Sequence, residues 1–320
     1  MREIQGKRKL RQIIPADAEQ TVLSRYLRKQ LGFTKAQISS MKFRENGILV
    51  NGKRARINTV LQSGDVLELL LERETESAGH VVPVHIPLQI LYEDEDVIAV
   101  WKEAGLVVHP AHGHYSDTLS NRVRGYCQEK GMEMTVRSIG RLDKDTSGIV
   151  IFAKNQTAAA RLWQQKENGS FRKEYLAVCE CSCGQENSSW ISRWHTIDTP
   201  IGKIEGELMK MCISSTGRPA VTHYRLMSRT EAAAFMKEHG VSLLLPEKLS
   251  LAQVHIETGR THQIRVHMAS VGYPLAGDPL YGNGAEGQTE TKLCAWKAEL
   301  LQPFTGQRIQ IEKIPENFSV

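Results

Sequence analysis

The stretch SIGRLDKDTSGIVIFAKN (residues 138–155) joins a polar turn directly to an apolar run. The turn carries two carboxylates, Asp143 and Asp145, and the flanking cations Arg141 and Lys144. The run IVIFAK that follows has the length and composition of a buried β-strand. Asp side chains in tight turns commonly accept backbone N–H bonds, so one interpretation of these carboxylates is purely structural. The other is that one of them carries out chemistry.

A second segment, ETGRTHQIRVHMASVGYPLAGDPLYG (residues 257–282), predicts a helix that is capped by Thr261 and ends at Gly272. His262 and Arg265 share one face of this helix because they are three residues apart. Arg265 lies in the N-terminal half, where the helix dipole disfavours a cation. Either Arg265 is a surface charge on an amphipathic helix, or its unfavourable position indicates a specific carboxylate partner.

Together, GRLDKDTSGIVIFAKN, KEYLAV and TGRTHQIRVHMASVGYPLAGDPLYG resemble the RluA-type family of RNA pseudouridine synthases. The resemblance spans about residues 87–312, including the terminal stretch LCAWKAELLQPFTGQRI. The family pattern is HRLDxxTSGLLLxAKN, and this chain has Gly140 where the family has His and Cys294 where a His is common. Since glycine adds backbone freedom, Gly140 is expected to loosen the turn.

The family detaches uracil from its ribose, rotates it and rejoins it through C5, without a cofactor or metal. The resemblance therefore implies that Asp143 is the catalytic carboxylate, acting either as a nucleophile or as a base at the ribose. It implies that Arg265 is the basic partner that keeps Asp143 ionised. Tyr175 matches the active-site tyrosine that stacks on the target base, whereas an isolated strand tyrosine would place its ring in the core.

Four further residues are assigned through the resemblance. Arg141 matches the position that fills the gap left by the flipped base, where a planar guanidinium can stack and donate hydrogen bonds. Leu142 and Ile264 are expected to form apolar walls of the substrate pocket, together with His262.

The segments from residue 87 onward predict an α+β body. Strands dominate and come partly in consecutive runs without strict βαβ alternation, which favours a large mixed or antiparallel sheet over a doubly wound fold. One helix is predicted from a cap at Ser116 or Asp117 to about Lys130, and another from Asn155 to before Gly169. The resemblance names this architecture the pseudouridine synthase fold.

The charge of the chain is unevenly distributed. The whole chain has a net charge of +5, but residues 1–60 hold 14 Lys and Arg against four Asp and Glu, a net +10. Such a basic module is either a solubilising surface or a nucleic-acid-binding surface. Apolar residues at helical spacing from Val22 to Leu31, a second helix capped by Thr34, and turns at Asn51-Gly52 and 63–65 predict two helices followed by a hairpin.

This pattern resembles the S-four-like (alpha-L) RNA-binding domain over about residues 20–72, through the VNGK turn followed by the GD turn. The alternative is a small generic α+β cap. We predict a basic RNA-binding domain at 1–72, a polar linker at 73–86 and a catalytic domain at 87–320. The residues predicted to contact RNA phosphates are Arg25, Lys29, Lys35, Lys42, Arg44, Lys53 and Arg54.

Other features argue against further cofactors. No Walker motif occurs, and no apolar run approaches the about 18 residues of a membrane span. Two clusters could suggest a metal, but neither has a complete ligand set, and free thiols in a reducing cytosol are the simpler interpretation. They are Cys179, Cys181 and Cys183, and His109, His112 and His114.

We therefore predict a cytoplasmic pseudouridine synthase acting on structured RNA, ribosomal RNA first and transfer RNA second. It is expected to be a monomer without an obligate protein partner, a cofactor, a metal or a membrane contact. The alternative is a non-catalytic RNA-binding or ribosome-assembly protein on the same scaffold.

Overall fold

The computed structural model describes residues 9–71, 81–111, 113–132, 135–181, 191–204, 206–207, 210–242, 245–282, 290–316 and 318. They form an N-terminal module (residues 9–71) and a larger body. None of the helices in these ranges is long and apolar enough to cross a membrane.

The N-terminal module contains two helices and an antiparallel sheet with the strand order β1-β4-β2-β3. It includes a strand at residue 9, ahead of the core predicted from about residue 20. Its elements are β1 (Lys9–Ile13), α1 (Leu23–Lys29), α2 (Lys35–Phe43), β2 (Ile48–Val50), β3 (Lys53–Arg54) and β4 (Val66–Leu70).

Local sequence explains the module. Thr34 caps α2 as predicted: its hydroxyl accepts a bond from the Gln37 backbone N–H at 3.2 Å, and the Gln37 side chain accepts from the Thr34 N–H at 2.8 Å. Asn51 and Gly52 have φ of 51° and 73°, which suits the tight hairpin between β2 and β3. The Asn51 amide donates to Asp65 at 2.7 Å, and this bond joins the two predicted turns.

The body forms a mixed sheet, so the predicted α+β class is confirmed. In the described residues the strand order is β10-β13-β14-β9-β15-β8-β6-β5, with β16 beside β15 and β7 beside β8. The elements are β5 (Ile90–Glu93), β6 (Val97–Lys102), α3 (Leu119–Glu129), β7 (Arg137–Ser138), β8 (Ser147–Ala153), α4 (Gln156–Glu167), β9 (Arg172–Glu180), β10 (His195–Asp198), β11 (Ile201–Lys203), β12 (Met211–Ile213), β13 (Val221–Leu226), α5 (Arg229–Glu238), β14 (Leu249–Ile256), α6 (Gln263–Ser270), β15 (Leu293–Leu301) and β16 (Arg308–Glu312).

Strand β8 is an interior strand of this sheet and is buried on both faces. It pairs parallel with β15 and antiparallel with β6. Gly148 has φ +126°, and a Cβ there would lie 2.4 Å from the backbone oxygen of Ala295. Only glycine therefore allows β8 to approach β15 this closely, which fixes the end of the strand that follows the turn bearing Asp143.

The helix starts differ in part from the sequence predictions. Asn155 caps α4 as predicted, accepting from the Ala158 N–H at 2.8 Å. Helix α3 is capped by Thr118 rather than by Ser116 or Asp117, because Thr118 forms a capping box with Asn121. The prediction that Thr261 caps α6 is wrong, and the cause lies in the loop before that helix, described below.

Several contacts connect the body to what precedes it, among them the bond from the Gln37 amide of the N-terminal module to the Thr157 hydroxyl on α4 at 3.4 Å. Residues 81–86, predicted as part of a linker, run along α3, where the Val84 N–H donates to the Asn121 carbonyl at 3.0 Å. The Arg161 guanidinium on α4 donates to the Leu31 carbonyl of the N-terminal module at 2.9 Å and to the Pro303 carbonyl of the body at 2.6 Å. It also lies against the Phe304 ring, 4.5 Å from the ring centroid.

Candidate active site

The turn that carries Asp143 crosses the edge of the sheet. Ile139 is buried in the core on one face of the sheet, and Leu142 is buried in the core on the other face. Asp143 follows Leu142 at the rim and is partly exposed. We call residues 140–146 the aspartate turn.

Lys102 at the end of β6 fixes this turn from below. Its side chain is fully buried, and Nζ donates to the carbonyls of Leu106 at 2.6 Å, Lys144 at 2.8 Å and Glu103 at 3.0 Å. Burial lowers the pKa of Lys102 to about 7, although the charge of Asp143 opposes this shift. Three carbonyl acceptors require three N–H donors, so the geometry fits the ammonium form.

Arg265 on α6 has the specific carboxylate partner that its position indicated. Its Nε and Nη2 donate to Asp278 Oδ2 and Oδ1 at 2.8 and 2.6 Å, and both residues are buried. Burial opposes the charge of each, but their mutual hydrogen bonds raise the pKa of Arg265 and lower that of Asp278. The backbone N–H groups of Leu280 and Tyr281 also donate to Asp278.

The expected pairing of Arg265 with Asp143 needs correction. Among the described residues, the second carboxylate near the guanidinium is Asp145, 3.7 Å from Nη1, and no Arg265–Asp143 ion pair lies within 4.0 Å. Asp143 acts on Arg265 at longer range, since its charge contributes to raising the Arg265 pKa. The bidentate geometry explains the preference, because Asp278 can satisfy two guanidinium N–H groups at once and Asp143 reaches neither.

Tyr175 on β9 lies beneath the aspartate turn. It is 7% exposed and packs in the same apolar cluster as Leu142 and Ile264. Burial raises the pKa of Tyr175, and the nearby charge of Asp143 raises it further. The hydroxyl is therefore protonated near neutral pH. The structure thus brings the ring, both predicted apolar walls and Asp143 to one place.

His262 joins the same site from the loop before α6. It is buried and adopts φ +54°, and its Nδ1 lies 3.0 Å from the Tyr281 hydroxyl. Burial lowers the His262 pKa although the charge of Asp143 opposes the shift, so the ring is neutral near pH 7. The left-handed turn at His262 explains why α6 starts one residue later than Thr261 would allow.

The Gln263 side chain holds this loop in place. It accepts from the Thr258 hydroxyl at 2.8 Å and from the Arg260 N–H at 3.0 Å, and it donates to the Val221 carbonyl at 2.9 Å. The Gln263 amide thus ties residues 258–260 and the start of β13 to the first residue of α6.

The predicted base-flipping residue, Arg141, is exposed at the rim of the site. Behind it, His109 Nε2 lies 2.7 Å from the Ser138 hydroxyl and its Nδ1 lies 2.8 Å from the Ser120 hydroxyl. Burial lowers the pKa of His109, and the positive charge of Arg141 lowers it further. A neutral His109 therefore supports the backbone that leads into the aspartate turn.

Each of the two clusters considered as metal sites is described only in part. Cys179 is buried on β9 and Cys181 follows that strand, while Cys183 and His112 lie outside the described residues. His114 pairs with Asp117. Within the described ranges, no group of three or more His, Cys, Asp or Glu is arranged to hold a metal ion.

The cations predicted to bind RNA lie on the surface of the N-terminal module. Four of them lie at the end of α2 and on β3, two segments joined by the bond from Arg54 to the Lys42 carbonyl at 3.0 Å. Phe43 is 76% exposed there, and Lys42 Nζ lies 4.5 Å from its ring centroid. Exposed aromatic rings among cations are typical of single-stranded RNA contacts. These cations are Lys42, Arg44, Lys53 and Arg54; Arg25, Lys29 and Lys35 are exposed on α1 and α2.

A family model described as RNA pseudouridylate synthase matches residues 96–270, more than half of the chain. The chain belongs to the RluA-type family of RNA pseudouridine synthases. The synthase is 34% identical over 265 residues to the uncharacterized RNA pseudouridine synthase YhcT of Bacillus subtilis, covering 83% of this chain and 80% of that protein. It is 34% identical over 290 residues to ribosomal large subunit pseudouridine synthase D of Pseudomonas aeruginosa, covering 86% and 82%.

The solved structure of human RNA pseudouridylate synthase domain containing 1 has a TM-score of 0.53 to the synthase at 23% identity. The structural match covers 75% of this chain and 86% of the human chain. This likeness shows the fold. The relatives confirm the predicted family and the enzyme class, and they remove the ground for the non-catalytic alternative.

Sequence reasoning missed three residues of the site: Asp278, Tyr281 and Lys102. Asp278 and Tyr281 lie in the quoted stretch GDPLYG. An Asp and a Tyr three residues apart after a turn were the sequence feature that could have indicated them as site residues. Lys102 ends a predicted apolar strand, and a single Lys at the end of a strand is normally interpreted as a surface residue. Its burial depends on the Leu106 and Lys144 carbonyls, which only the folded chain brings together.

Proposed function

We propose that the synthase isomerises uridines in structured ribosomal RNA, with Asp143 as the catalytic carboxylate. The observation that carries the proposal is the unequal use of the carboxylates around Arg265. Asp278 forms the buried pair, and Asp143 is left partly exposed above Tyr175. A carboxylate outside the ion pair keeps its oxygens available to a substrate.

The surrounding residues suit a flipped uridine. Tyr175, Leu142 and Ile264 supply an apolar surface on which a planar base can stack. Arg141 is exposed at the rim, where its guanidinium can occupy the space that the base leaves in the RNA. Asp143 then lies beside the ribose, where it either attacks as a nucleophile or removes a proton as a base.

Ribosomal RNA is proposed because a relative named for the ribosomal large subunit is matched over most of both chains. The N-terminal module supports a structured substrate, since its cations and the exposed Phe43 provide a second contact surface. We propose that this module is the S-four-like RNA-binding domain and that the protein works as a cytoplasmic monomer.

The test replaces Asp143 by Asn, with Asp145→Asn as the matched control in the same turn. Asp143→Asn is expected to abolish pseudouridine formation on unmodified ribosomal RNA while leaving the melting temperature and the RNA Kd unchanged. Asp145→Asn should keep measurable activity. An active Asp143→Asn variant would overturn the catalytic assignment. Mapping pseudouridines in cells with and without the gene tests the substrate, and a difference confined to transfer RNA would overturn the ribosomal proposal.

A further inference from the structure

Lys166, in the last turn of α4, reaches both loops of the site. A Cβ at Gly140 would lie 2.9 Å from Lys166 Nζ, and a Cβ at Gly259 would lie 3.9 Å from it. Gly140 opens the aspartate turn and immediately precedes Arg141, while Gly259 lies in the loop that leads into α6. The ammonium is therefore at the junction of the two segments that position Asp143 and Arg265.

The ammonium at this junction is open to a ligand. Lys166 is exposed, and among the described residues no carboxylate or carbonyl binds its Nζ. It lies 5.0 Å from the ring centroid of Trp163, which is itself 44% exposed. Neighbouring protein atoms lower the pKa of Lys166 because they restrict the hydration of its ammonium group. A bound anion would stabilise the charged form in place of the missing water.

The two glycines keep this position free. Gly140 has φ +83°, which disfavours any side chain, and a Cβ there, 2.9 Å from Nζ, would displace the mobile end of the Lys166 side chain. Gly259 does not have a positive φ, so its backbone does not require glycine; a larger side chain there would cover the ammonium. The Lys166 ammonium thus lies against the start of the aspartate turn.

We propose that the Lys166 ammonium binds a phosphate of the RNA strand beside the target uridine, in the gap that Gly140 and Gly259 leave open. This inference rests on the proposed function, because it needs an RNA strand at Arg141. Arg141 adjoins Gly140 in the chain, so a strand that Arg141 enters passes Lys166 with its backbone. Lysine suits such a contact as a mobile point charge.

The test compares Lys166→Gln with Lys237→Gln, a matched control at an exposed lysine in the last turn of α5. The probe is ribosomal RNA transcribed in vitro and therefore free of pseudouridine. Lys166→Gln should raise the Kd about three- to tenfold and reduce the slope of log Kd against log salt by about 0.7–0.9, the value of one phosphate contact. Lys166→Arg should restore both, and Lys237→Gln should change neither.

A salt slope for Lys166→Gln equal to that of the wild type, or to that of Lys237→Gln, would overturn the proposal. An unchanged melting temperature separates binding from a structural role. The failure of the proposed function is seen separately: the wild type would then bind RNA without forming pseudouridine. The phosphate contact is measured by RNA binding alone. The salt slope therefore tests it whether or not the wild type forms pseudouridine.

Discussion

The Asp278 carboxylate binds two nitrogens of the Arg265 guanidinium inside the protein, while the third nitrogen, Nη1, faces Asp145 at 3.7 Å. The pair thus fixes the orientation of Arg265 from the side opposite the aspartate turn. Arg265 presents its remaining charge to Asp145 and, at longer range, to Asp143. Asp278 is therefore a positioning residue.

Replacing Asp278 by Asn should destabilise the fold strongly. The change leaves a buried guanidinium without its counter-charge, which typically costs about 3–5 kcal/mol. Denaturant unfolding measures this cost. Asp145→Asn is the control, because Asp145 is partly exposed and 3.7 Å away, and it should cost about 1 kcal/mol or less. Equal losses in the two variants would contradict the assigned role of Asp278.

The same pair predicts a pH dependence. The folded-state pKa of Asp278 is lowered from its ordinary value of 3.8, because the Arg265 bonds outweigh burial. The stabilisation by the carboxylate is therefore fully present above about pH 4 and is lost as the pH falls through the folded-state pKa. The stability difference between wild type and Asp278→Asn should be constant from pH 8 to pH 5 and shrink below pH 4. A difference that grows on acidification would refute this.

Tyr175 should contribute through both its ring and its hydroxyl. Its raised pKa keeps the hydroxyl protonated, so it can donate or relay a proton near Asp143 but does not act as a phenolate. Tyr175→Phe should keep RNA affinity and lower kcat by about 10²–10⁴-fold, the usual range for a lost proton-transfer group. Tyr175→Leu should also weaken binding, since stacking is lost. Single-turnover kinetics with both variants separates the two effects, and a wild-type kcat in Tyr175→Phe would exclude a role for the hydroxyl.

Much of this site could be predicted from the sequence, because its key residues lie in two long motifs. The strand after Asp143, the cap at Asn155 and the need of Arg265 for a carboxylate partner follow from local patterns and from the helix dipole. The identity of that partner did not follow. Asp278 is 13 residues from Arg265 and meets it only because the chain turns back after α6.

The helix starts show the same limit. Thr261 has the right residue type for a cap, but the Gln263 side chain binds the loop and His262 takes a left-handed conformation. A tertiary contact between Gln263 and the Val221 carbonyl thus overrides a local preference. Likewise, no local pattern distinguishes the buried Lys102 from a surface lysine.

Lys102→Met should impair catalysis more than substrate binding. Methionine fills the space but donates no hydrogen bonds, so the Lys144 carbonyl and with it the aspartate turn lose their support. A misplaced carboxylate lowers kcat, and we expect a loss of at least about tenfold with little change in RNA Kd. Lys173→Met is the matched control, because Lys173 donates to the Ile149 carbonyl at 2.7 Å and not to the turn. Equal kcat losses in the two variants would indicate general destabilisation instead.

Arg161→Leu should release the N-terminal module from the body. The Arg161 guanidinium binds the Leu31 carbonyl on one side and the Pro303 carbonyl on the other, and burial lowers its pKa to about 10. Leucine leaves both carbonyls unpaired, at a cost of about 1–3 kcal/mol each if they stay buried, so separation of the two parts becomes the favourable response. Small-angle X-ray scattering should show a larger radius of gyration.

Release of the module should also affect long and short RNA substrates differently. A long structured RNA contacts both the module and the site, so its Kd should rise about tenfold when the module is no longer held in place. A short hairpin that fills only the site should be modified at an unchanged rate. Arg229→Leu is the matched control, because Arg229 also donates to two carbonyls, those of Leu245 and Pro246, but lies on α5. If Arg161→Leu affects long and short RNA equally, docking of the module does not contribute to substrate binding.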